Sequence, residues 1–160
     1  MAFERTFQIG WAHLDANGHM ANTAFMALAI ETRFLYFESR GFTPAEFRQA
    51  GIGPVVRRDE LEYYKELRFL ERVRINVLIG GLSDDASRFR IVNEFRREDG
   101  ELSARIASHG GWLDIRARKL AAPPAALADA LRSLERTPDF ETLKSSVSGK
   151  QSAGSSTPVG

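Results

Sequence analysis

The sequence has no cysteine among its 160 residues. Disulfide bonds, cysteine-ligated zinc sites and catalysis by a thiolate are therefore excluded, and the composition fits a reducing compartment. Long apolar runs are also missing, since no stretch approaches the roughly 20 apolar residues that a membrane-spanning helix needs. The first residues lack the basic segment and apolar run of a signal peptide. We therefore expect a cytoplasmic protein with no membrane partner.

Neither sign of charge is in clear excess, because the 22 basic and 21 acidic residues give a formal net charge of +1. Proteins that bind nucleic-acid backbones usually carry a clearer basic excess, so no nucleic-acid partner is expected. Three well-separated histidines without cysteine form no recognisable metal site, and we expect neither a metal nor another bound cofactor. The chain is 43% hydrophobic, which is ordinary for one globular domain with its own core.

One long helix is predicted from Thr23 to about Arg40. Asn22 is a favourable N-cap, no glycine or proline interrupts the segment, and Gly41 stands where a helix ends. Residues 24–30 are apolar on every side, a pattern typical of a buried helix. In a chain of this length, a sheet wrapped around the helix is the natural way to bury it.

Strands are predicted where the apolar period changes to two: residues 3–11, 54–66, 72–79, 87–97 and 101–116. Asp99-Gly100 is a hairpin signal, and Gly110-Gly111 indicates a bulge or a close backbone approach. Short helices are predicted at 44–50 and 124–135. The fold class is therefore α+β, with a five-stranded antiparallel sheet around one long buried helix and the last four strands in meander order. This is the hot-dog arrangement.

The predicted domain spans residues 1–136, with Pro123-Pro124 ending the sheet. Residues 137–160 form a C-terminal extension that we expect to be disordered from about residue 145, where serine, glycine, threonine and proline dominate. An open sheet of this kind usually protects its edge by pairing with a second copy. We therefore expect a homodimer or a homotetramer.

The loop before the helix reads His13-Leu14-Asp15-Ala16-Asn17-Gly18-His19-Met20-Ala21-Asn22. It resembles the 4-hydroxybenzoyl-CoA type of hot-dog thioesterase, which carries an Asp, a small residue, Gly-His, a hydrophobe and Asn at the helix start. The resemblance covers roughly residues 3–134. Ala21 replaces an Asn of the family pattern, Phe25 replaces a Tyr, and Glu71-Arg72 replaces a Gly-Asp turn; these departures concern the substrate more than the fold.

The resemblance implies an acyl-CoA thioesterase that hydrolyses a thioester to a free acid and CoA. Asp15 would act as general base toward water or as nucleophile. Free backbone amides between Met20 and Thr23, above all that of Asn22, would form the oxyanion hole at the helix N-terminus. Gly18 allows a tight turn or a close approach to substrate. His19 would support the loop or have a secondary role.

Further substrate contacts are expected from both ends of this loop and from the sheet. The acyl pocket should lie at a dimer interface, so that both chains contribute, and arginines should pair with the CoA phosphates. The candidate substrate-binding residues are Gly18, Met20, Phe25, Met26, Tyr63, Arg57 and Arg58.

Other interpretations stay open. Asp15 could be only a turn residue, since Asp-x-Asn-Gly favours turns. Glu31 on the helix is the alternative catalytic carboxylate. His19 close to Asp15 would suit an enoyl-CoA hydratase or dehydratase, which moves a proton at carbon. A non-catalytic acyl-CoA-binding protein could use the same pocket.

Overall fold

The structure, a computed structural model, describes residues 2–147. A 3-10 turn at Trp11–His13 follows the first strand. The helices and strands in chain order are β1 Phe3–Gln8, α1 Asn22–Ser39, α2 Pro44–Ala50, β2 Ile52–Tyr63, β3 Arg72–Ser83, β4 Arg88–Arg97, β5 Leu102–Asp114, β6 Lys119–Ala121, α3 Ala125–Arg132 and β7 Arg136–Leu143. Within residues 2–147, no helix combines the length and apolarity needed to cross a lipid bilayer.

The main sheet has the strand order β1-β3-β4-β5-β2, with antiparallel pairing throughout. Together with α1 on one face, this confirms the predicted hot-dog arrangement. The predicted meander was wrong for one strand, because β2 pairs with β5 and not with β3. The reason is the connection formed by residues 64–71, which buries Leu67 beneath the start of α1 instead of making a hairpin turn.

Helix α1 lies close to its predicted limits and ends before Gly41, whose φ is +84°. Ala21 is the N-cap, so the prediction for Asn22 was wrong; the Asn22 side chain instead accepts a hydrogen bond from the Thr23 amide at 3.0 Å. The helix is buried on one face, whereas Ala27, Ile30 and Glu31 are exposed. A sheet that covers only one side of the helix explains this difference from the expected all-round burial. The buried residues are Ala24, Phe25, Leu28, Ala29, Thr32, Arg33, Tyr36 and Phe37.

The core fills the space between α1 and the concave face of the sheet. One cluster surrounds Phe25 and Phe95 near the helix start, and a second surrounds Phe37 and Trp112 near its end. The inward-facing residues predicted for the third strand, which are Val73, Ile75, Val77 and Ile79, are all buried.

Gly110-Gly111 marks a close backbone approach, as predicted. A Cβ atom on Gly110 would lie 2.2 Å from the carbonyl oxygen of Val55, and one on Gly111 would lie 2.7 Å from that of Ser87. No side chain fits between strands this close. The irregularity in pairing falls on β2, between Val56 and Arg58, so that Arg57 is the extra residue.

The sheet continues beyond Pro123-Pro124, contrary to prediction. Strand β6 pairs with β5 before the two prolines, and after them β7 runs parallel to β3, mostly over residues that had been assigned to the extension. Ser146 then donates from its amide to Ser87 Oγ at 2.9 Å. The expected disorder from about residue 145 falls mainly on residues 148–160, which lie outside the described residues.

Asp85 ties the β3–β4 turn to this C-terminal segment. Its carboxylate accepts hydrogen bonds from the hydroxyls of Ser83 (2.8 Å), Ser87 (2.7 Å) and Ser145 (2.6 Å). Burial alone would raise the pKa of the Asp85 carboxyl, but the serine hydrogen bonds lower it well below its ordinary value. The charged carboxylate is therefore the form that the fold favours.

We expect Asp85→Ala to lower the free energy of unfolding at pH 7 by about 1–3 kcal/mol, because hydrogen bonds to a charged group are lost. A depressed carboxyl pKa stabilises the fold above its ordinary value of about 4, and this contribution disappears as the pH falls toward the folded-state pKa. The difference between wild type and variant in urea unfolding should accordingly shrink below about pH 4. Asp84→Ala, at an exposed neighbouring position, should leave stability nearly unchanged. Equal losses from both variants would contradict the role of Asp85.

Candidate active site

The connection between β1 and α1 holds Asp15 in a tight turn. The Asp15 amide donates to the carbonyl oxygen of His19 at 2.9 Å, and the Gly18 amide donates to that of Asp15 at 3.1 Å. Gly18 has a φ of +75°, a region that glycine enters without steric cost. The sequence therefore fixes a small loop directly before the helix.

The Asp15 carboxylate is exposed, and its two oxygens differ. Oδ1 accepts hydrogen bonds from the backbone amides of Asn17 (2.8 Å) and His19 (3.3 Å). Oδ2 has no hydrogen-bond partner among residues 2–147. One oxygen thus accepts the hydrogen bonds of a turn residue, while the other is unengaged, so a turn role does not exclude a second role for Asp15.

Fewer backbone amides at the helix start are free of hydrogen-bond partners than predicted. The Met20 amide donates to the Leu67 carbonyl at 2.7 Å, and the Ala21 amide donates to the His13 carbonyl at 2.8 Å, so the expectation that they are free was wrong. The Asn22 amide finds no acceptor within the described part of the chain. It lies at the positive end of the α1 dipole, where it can polarise a carbonyl oxygen.

The His19 side chain faces Glu66 and not Asp15. His19 Nε2 lies 2.9 Å from a Glu66 carboxylate oxygen, and the His19 backbone forms an isolated bridge with Arg68. A hydrogen bond from Arg68, with a smaller contribution from His19, holds the pKa of Glu66 below its ordinary value. His19 therefore links the loop to residues 66–68 on the other side of the site.

The other histidines and the helix carboxylate lie elsewhere. His13 Nδ1 accepts from the Gly10 amide at 2.9 Å and closes the 3-10 turn. His109 is bonded to Glu60 at 2.8 Å across β5 and β2. Glu31 is exposed on α1, about 13 Å along the axis from Asn22 by helical rise, so the alternative carboxylate does not join Asp15.

Apolar residues predicted to bind substrate gather beside the helix start. The ring of Phe25 makes edge-to-face contacts with Tyr63 at 5.4 Å and with Phe95 at 5.1 Å. Met20 is buried in the same cluster, and Met26 packs against it. Tyr63 remains half exposed, so that the end of β2 supplies an accessible aromatic wall.

Arg57 and Arg58 are separate from this group within one protomer. They lie in the middle of β2, roughly 17–20 Å along the strand from Tyr63 at about 3.3 Å per residue. Instead they border a cavity of about 750 Å³ at the opposite end of the sheet. Sequence reasoning missed this cavity because it needs the long-range pairing of β2 with β5. It also missed Leu67 and Glu66, whose contacts position the Asp15 loop only through the tertiary fold.

Loop tips beside the Asp15 turn expose large apolar side chains. Trp11 is 77% exposed and contacts Phe69 edge to face at 5.8 Å. The next residue, Leu70, has a φ of +68°, a region that non-glycine residues rarely enter. Within residues 2–147, no group of three or more His, Asp or Glu side chains is placed to hold a metal ion.

Solved structures of low sequence identity share this fold. A 1,4-dihydroxy-2-naphthoyl-CoA thioesterase from Synechocystis superposes with a TM-score of 0.74 at 20% identity, covering 84% of this chain and 98% of that one. A DHNA-CoA thioesterase from Staphylococcus aureus gives a TM-score of 0.72 at 18% identity, with 81% and 87% covered. A hypothetical protein from Staphylococcus aureus, solved in complex with CoA, gives 0.74 at 15% identity, with 99% and 96% covered.

A search of curated proteins found no match. A family model does match, described as the thioesterase-like superfamily and covering residues 9–131, which include the Asp15 loop, α1 and the strands β2 to β5. The predicted family and the assignment as a thioester hydrolase are thereby confirmed at the level of the family. The chain belongs to the thioesterase-like superfamily.

Proposed function

We propose that the protein hydrolyses an acyl-CoA thioester to a free acid and CoA, with Asp15 as the catalytic carboxylate. The observation that carries the proposal is the pairing of two unengaged groups on one short loop. Asp15 Oδ2 and the Asn22 amide both lack a partner among residues 2–147, at the N-terminus of α1. Thioester hydrolysis needs such a pair: a base or nucleophile, and a donor for the oxyanion.

Two routes use these groups. As general base, Asp15 takes a proton from water while the water oxygen attacks the thioester carbonyl carbon. The carbonyl electrons move onto oxygen, which the Asn22 amide stabilises; the C–S bond then breaks, and the CoA thiolate takes up a proton. As nucleophile, Asp15 attacks the carbon itself, expels the thiolate and forms a mixed anhydride that water hydrolyses. Incorporation of ¹⁸O from labelled water into the Asp15 carboxylate distinguishes the second route.

The surroundings support an acyl group held beside the helix start. Met20, Phe25, Met26 and Tyr63 supply apolar and aromatic contacts close to Asp15. The names of the Synechocystis and Staphylococcus aureus thioesterases, and the CoA complex of a third protein, favour a CoA thioester as the substrate class.

We also propose that the working unit is a homodimer or homotetramer. Within the described chain, β2 is paired along one edge only, with β5, and the other edge presents unsatisfied backbone groups. A second copy that pairs there would extend the sheet and bring its own β2 beside Tyr63. Sedimentation or light scattering of the full chain tests this part of the proposal.

The test of activity is a panel of aromatic, short aliphatic and long-chain acyl-CoAs, followed by detection of the free thiol. Release of CoA from at least one substrate is expected. Because Ala21 and Phe25 differ from the family pattern, we expect them to influence which acyl group is preferred. Binding without release would indicate a non-catalytic acyl-CoA-binding protein. Hydration of an enoyl-CoA, seen as loss of ultraviolet absorbance, would indicate a hydratase; the contact of His19 with Glu66, not Asp15, argues against that outcome.

We expect His19→Gln to lower kcat/KM by less than about 10-fold, because a general base contributes about 10²–10⁴-fold and the His19 imidazole does not reach the Asp15 carboxylate. The pH dependence of kcat/KM should keep its shape in the variant. A fall above 100-fold, together with a changed pH profile, would assign His19 a direct role in proton transfer.

A further inference from the structure

The inner side of β2 carries a row of side chains that changes from apolar to charged. Tyr63, Leu61 and Asp59 are spaced two residues apart, so their side chains point to the same face of the strand. This face is turned toward α1, because the ring of Tyr63 contacts that of Phe25 edge to face at 5.4 Å. Leu61 is half-buried while Tyr63 and Asp59 are exposed, so a ligand can reach the row.

A second row, on α1, changes in the same direction. Met26, Ile30 and Arg33 have the i, i+4, i+7 spacing of residues on one side of a helix. Arg33 donates to Asn93 of β4 and to Ser108 of β5, so this side of α1 faces the half of the sheet that ends in β2. Met26 is half-buried and Ile30 is exposed. The two rows are therefore the walls of an open groove, here called the α1–β2 groove.

The apolar end of the α1–β2 groove lies at the candidate active site. Met26 is one helical turn from Asn22, whose amide is unengaged in the described part of the chain. From Asn22 to Arg33 the helix rises about 16 Å, and from Tyr63 to Asp59 the strand extends about 13 Å. An extended chain covers about 1.2 Å per bond, the value for a peptide with three bonds per residue. A chain of about 12 carbons therefore spans the groove from a thioester at Asn22 to its charged end.

A donor and an acceptor are left unengaged at that charged end. Arg33 is buried and bonds through Nε and Nη2, while its Nη1 has no partner among residues 2–147. Nη1 is not fully enclosed, so it reaches the molecular surface. Asp59 Oδ1 accepts a hydrogen bond from Ser108, and Oδ2 accepts none within the same residues. Because Arg33 and Asp59 both bond to the Ser108 hydroxyl, the two free groups lie close together.

The chemistry of this pair selects what can end there. An alkyl terminus would take Asp59 and Arg33 out of water without giving either group a hydrogen bond. A carboxylate would attract Arg33 but repel Asp59, and an ammonium group would do the reverse. A hydroxyl can donate to the carboxylate and accept from the guanidinium, and it adds no charge.

We propose, on the basis of the thioesterase function proposed above, that the acyl group is a chain of about 12 carbons with a hydroxyl at its far end. The chain lies in the α1–β2 groove, where Met26, Ile30 and Leu61 contact its apolar part. The terminal hydroxyl bonds to Asp59 and Arg33. A short acyl group reaches neither of these residues, so its hydrolysis does not depend on them.

The experiment compares kcat/KM for ω-hydroxydodecanoyl-CoA, dodecanoyl-CoA, the mono-CoA thioester of dodecanedioic acid and butanoyl-CoA. The hydroxylated substrate should exceed dodecanoyl-CoA by about 10-fold, since it gains a hydrogen bond to a charged group, and the acidic substrate should fall below it. Asp59→Ala should reduce the preference for the hydroxyl to less than about 2-fold. Glu62→Ala is the matched control, because it removes an exposed carboxylate from the opposite face of β2 and should keep the preference.

A second variant tests the path of the chain. Ile30→Trp, at an exposed position of α1, should narrow the groove and lower kcat/KM for both uncharged twelve-carbon substrates by about 10-fold or more. Butanoyl-CoA should be hydrolysed at the wild-type rate, because its acyl group ends before Ile30. Loss of butanoyl-CoA hydrolysis together with a smaller mass in light scattering would show that a second copy of the chain fills the groove, and would overturn the proposal.

Binding to Asp15→Asn separates this proposal from the assignment of Asp15. Calorimetric titration of that variant with the two uncharged twelve-carbon thioesters measures the preference for the hydroxyl without turnover. The same preference in binding, with no hydrolysis by the wild type, would support the groove while refuting the thioesterase function. Equal binding of the two thioesters, or a preference that survives Asp59→Ala, would overturn the groove proposal even if the enzyme hydrolyses both.

Discussion

Asp15→Asn is expected to reduce kcat/KM for an acyl-CoA substrate by about 10³-fold or more while the protein stays folded. The amide cannot accept a proton from water and is a far weaker nucleophile, and a general base alone contributes about 10²–10⁴-fold. The loop should survive, because the amide oxygen of asparagine can still accept the hydrogen bonds that Asn17 and His19 donate to Oδ1. Steady-state kinetics measure the fall in kcat/KM, and circular dichroism tests whether the protein stays folded.

Asp99→Asn supplies a matched control for the loss of charge. Asp99 Oδ1 also accepts a hydrogen bond from a backbone amide two residues ahead, that of Glu101 at 2.9 Å, but in the β4–β5 turn. This variant should keep full activity. Asp15→Ala should be as inactive as Asp15→Asn and somewhat less stable, because it also removes the turn hydrogen bonds. An undiminished rate in Asp15→Asn would refute the assignment of Asp15.

Arg33→Met is expected to cause the largest loss of stability, about 3–5 kcal/mol. Arg33 is 7% exposed within α1, and it donates to Asn93 at 2.7 Å and to Ser108 at 2.8 Å. Burial lowers the pKa of Arg33 to about 10, partly opposed by the charge of Asp59, so the guanidinium remains charged at neutral pH. Its removal leaves buried polar groups on β4 and β5 without a donor.

Urea unfolding measures this loss. The control is Arg40→Met, at the exposed C-cap of the same helix. That control should change the free energy of unfolding by less than about 0.5 kcal/mol. The combined variant Arg33→Met, Asn93→Leu, Ser108→Ala should recover part of the stability, because replacing all partners by apolar groups removes the unpaired atoms. A loss below about 1 kcal/mol for Arg33→Met would show that water replaces the guanidinium.

Local patterns predicted the parts of the fold that local physics determines. The alternation through Val73 and Ile75 marked a strand, and the apolar run closed by Gly41 marked α1. Strand β7 escaped prediction because it carries Pro138 and many charges, and it forms only where β3 offers a free edge. The order of β2 in the sheet depends on a distant partner, which periodicity does not encode.

The candidate site divides in the same way. The turn chemistry of Asp15 and Gly18 is visible in the sequence, and so is a helix start near Asn22. Which amides remain unpaired is not visible, since the acceptor for Met20 is the Leu67 carbonyl of a separate connection. Likewise, the sequence does not show that Arg33 is buried in α1, because its hydrogen-bond partners belong to two strands far along the chain.

The strand order also has a kinetic consequence. Among the five strands β1 to β5, only the pairs β3–β4 and β4–β5 join strands that follow one another closely, whereas Phe3 pairs with Val77 and Ile52 pairs with Asp114. Closing long loops before any contact forms is entropically costly, so non-local pairing slows folding. We expect the β3–β4–β5 meander to assemble first, and β1, β2 and β7 to dock onto its edges afterwards. Refolding should therefore be limited by the last edge strands to arrive.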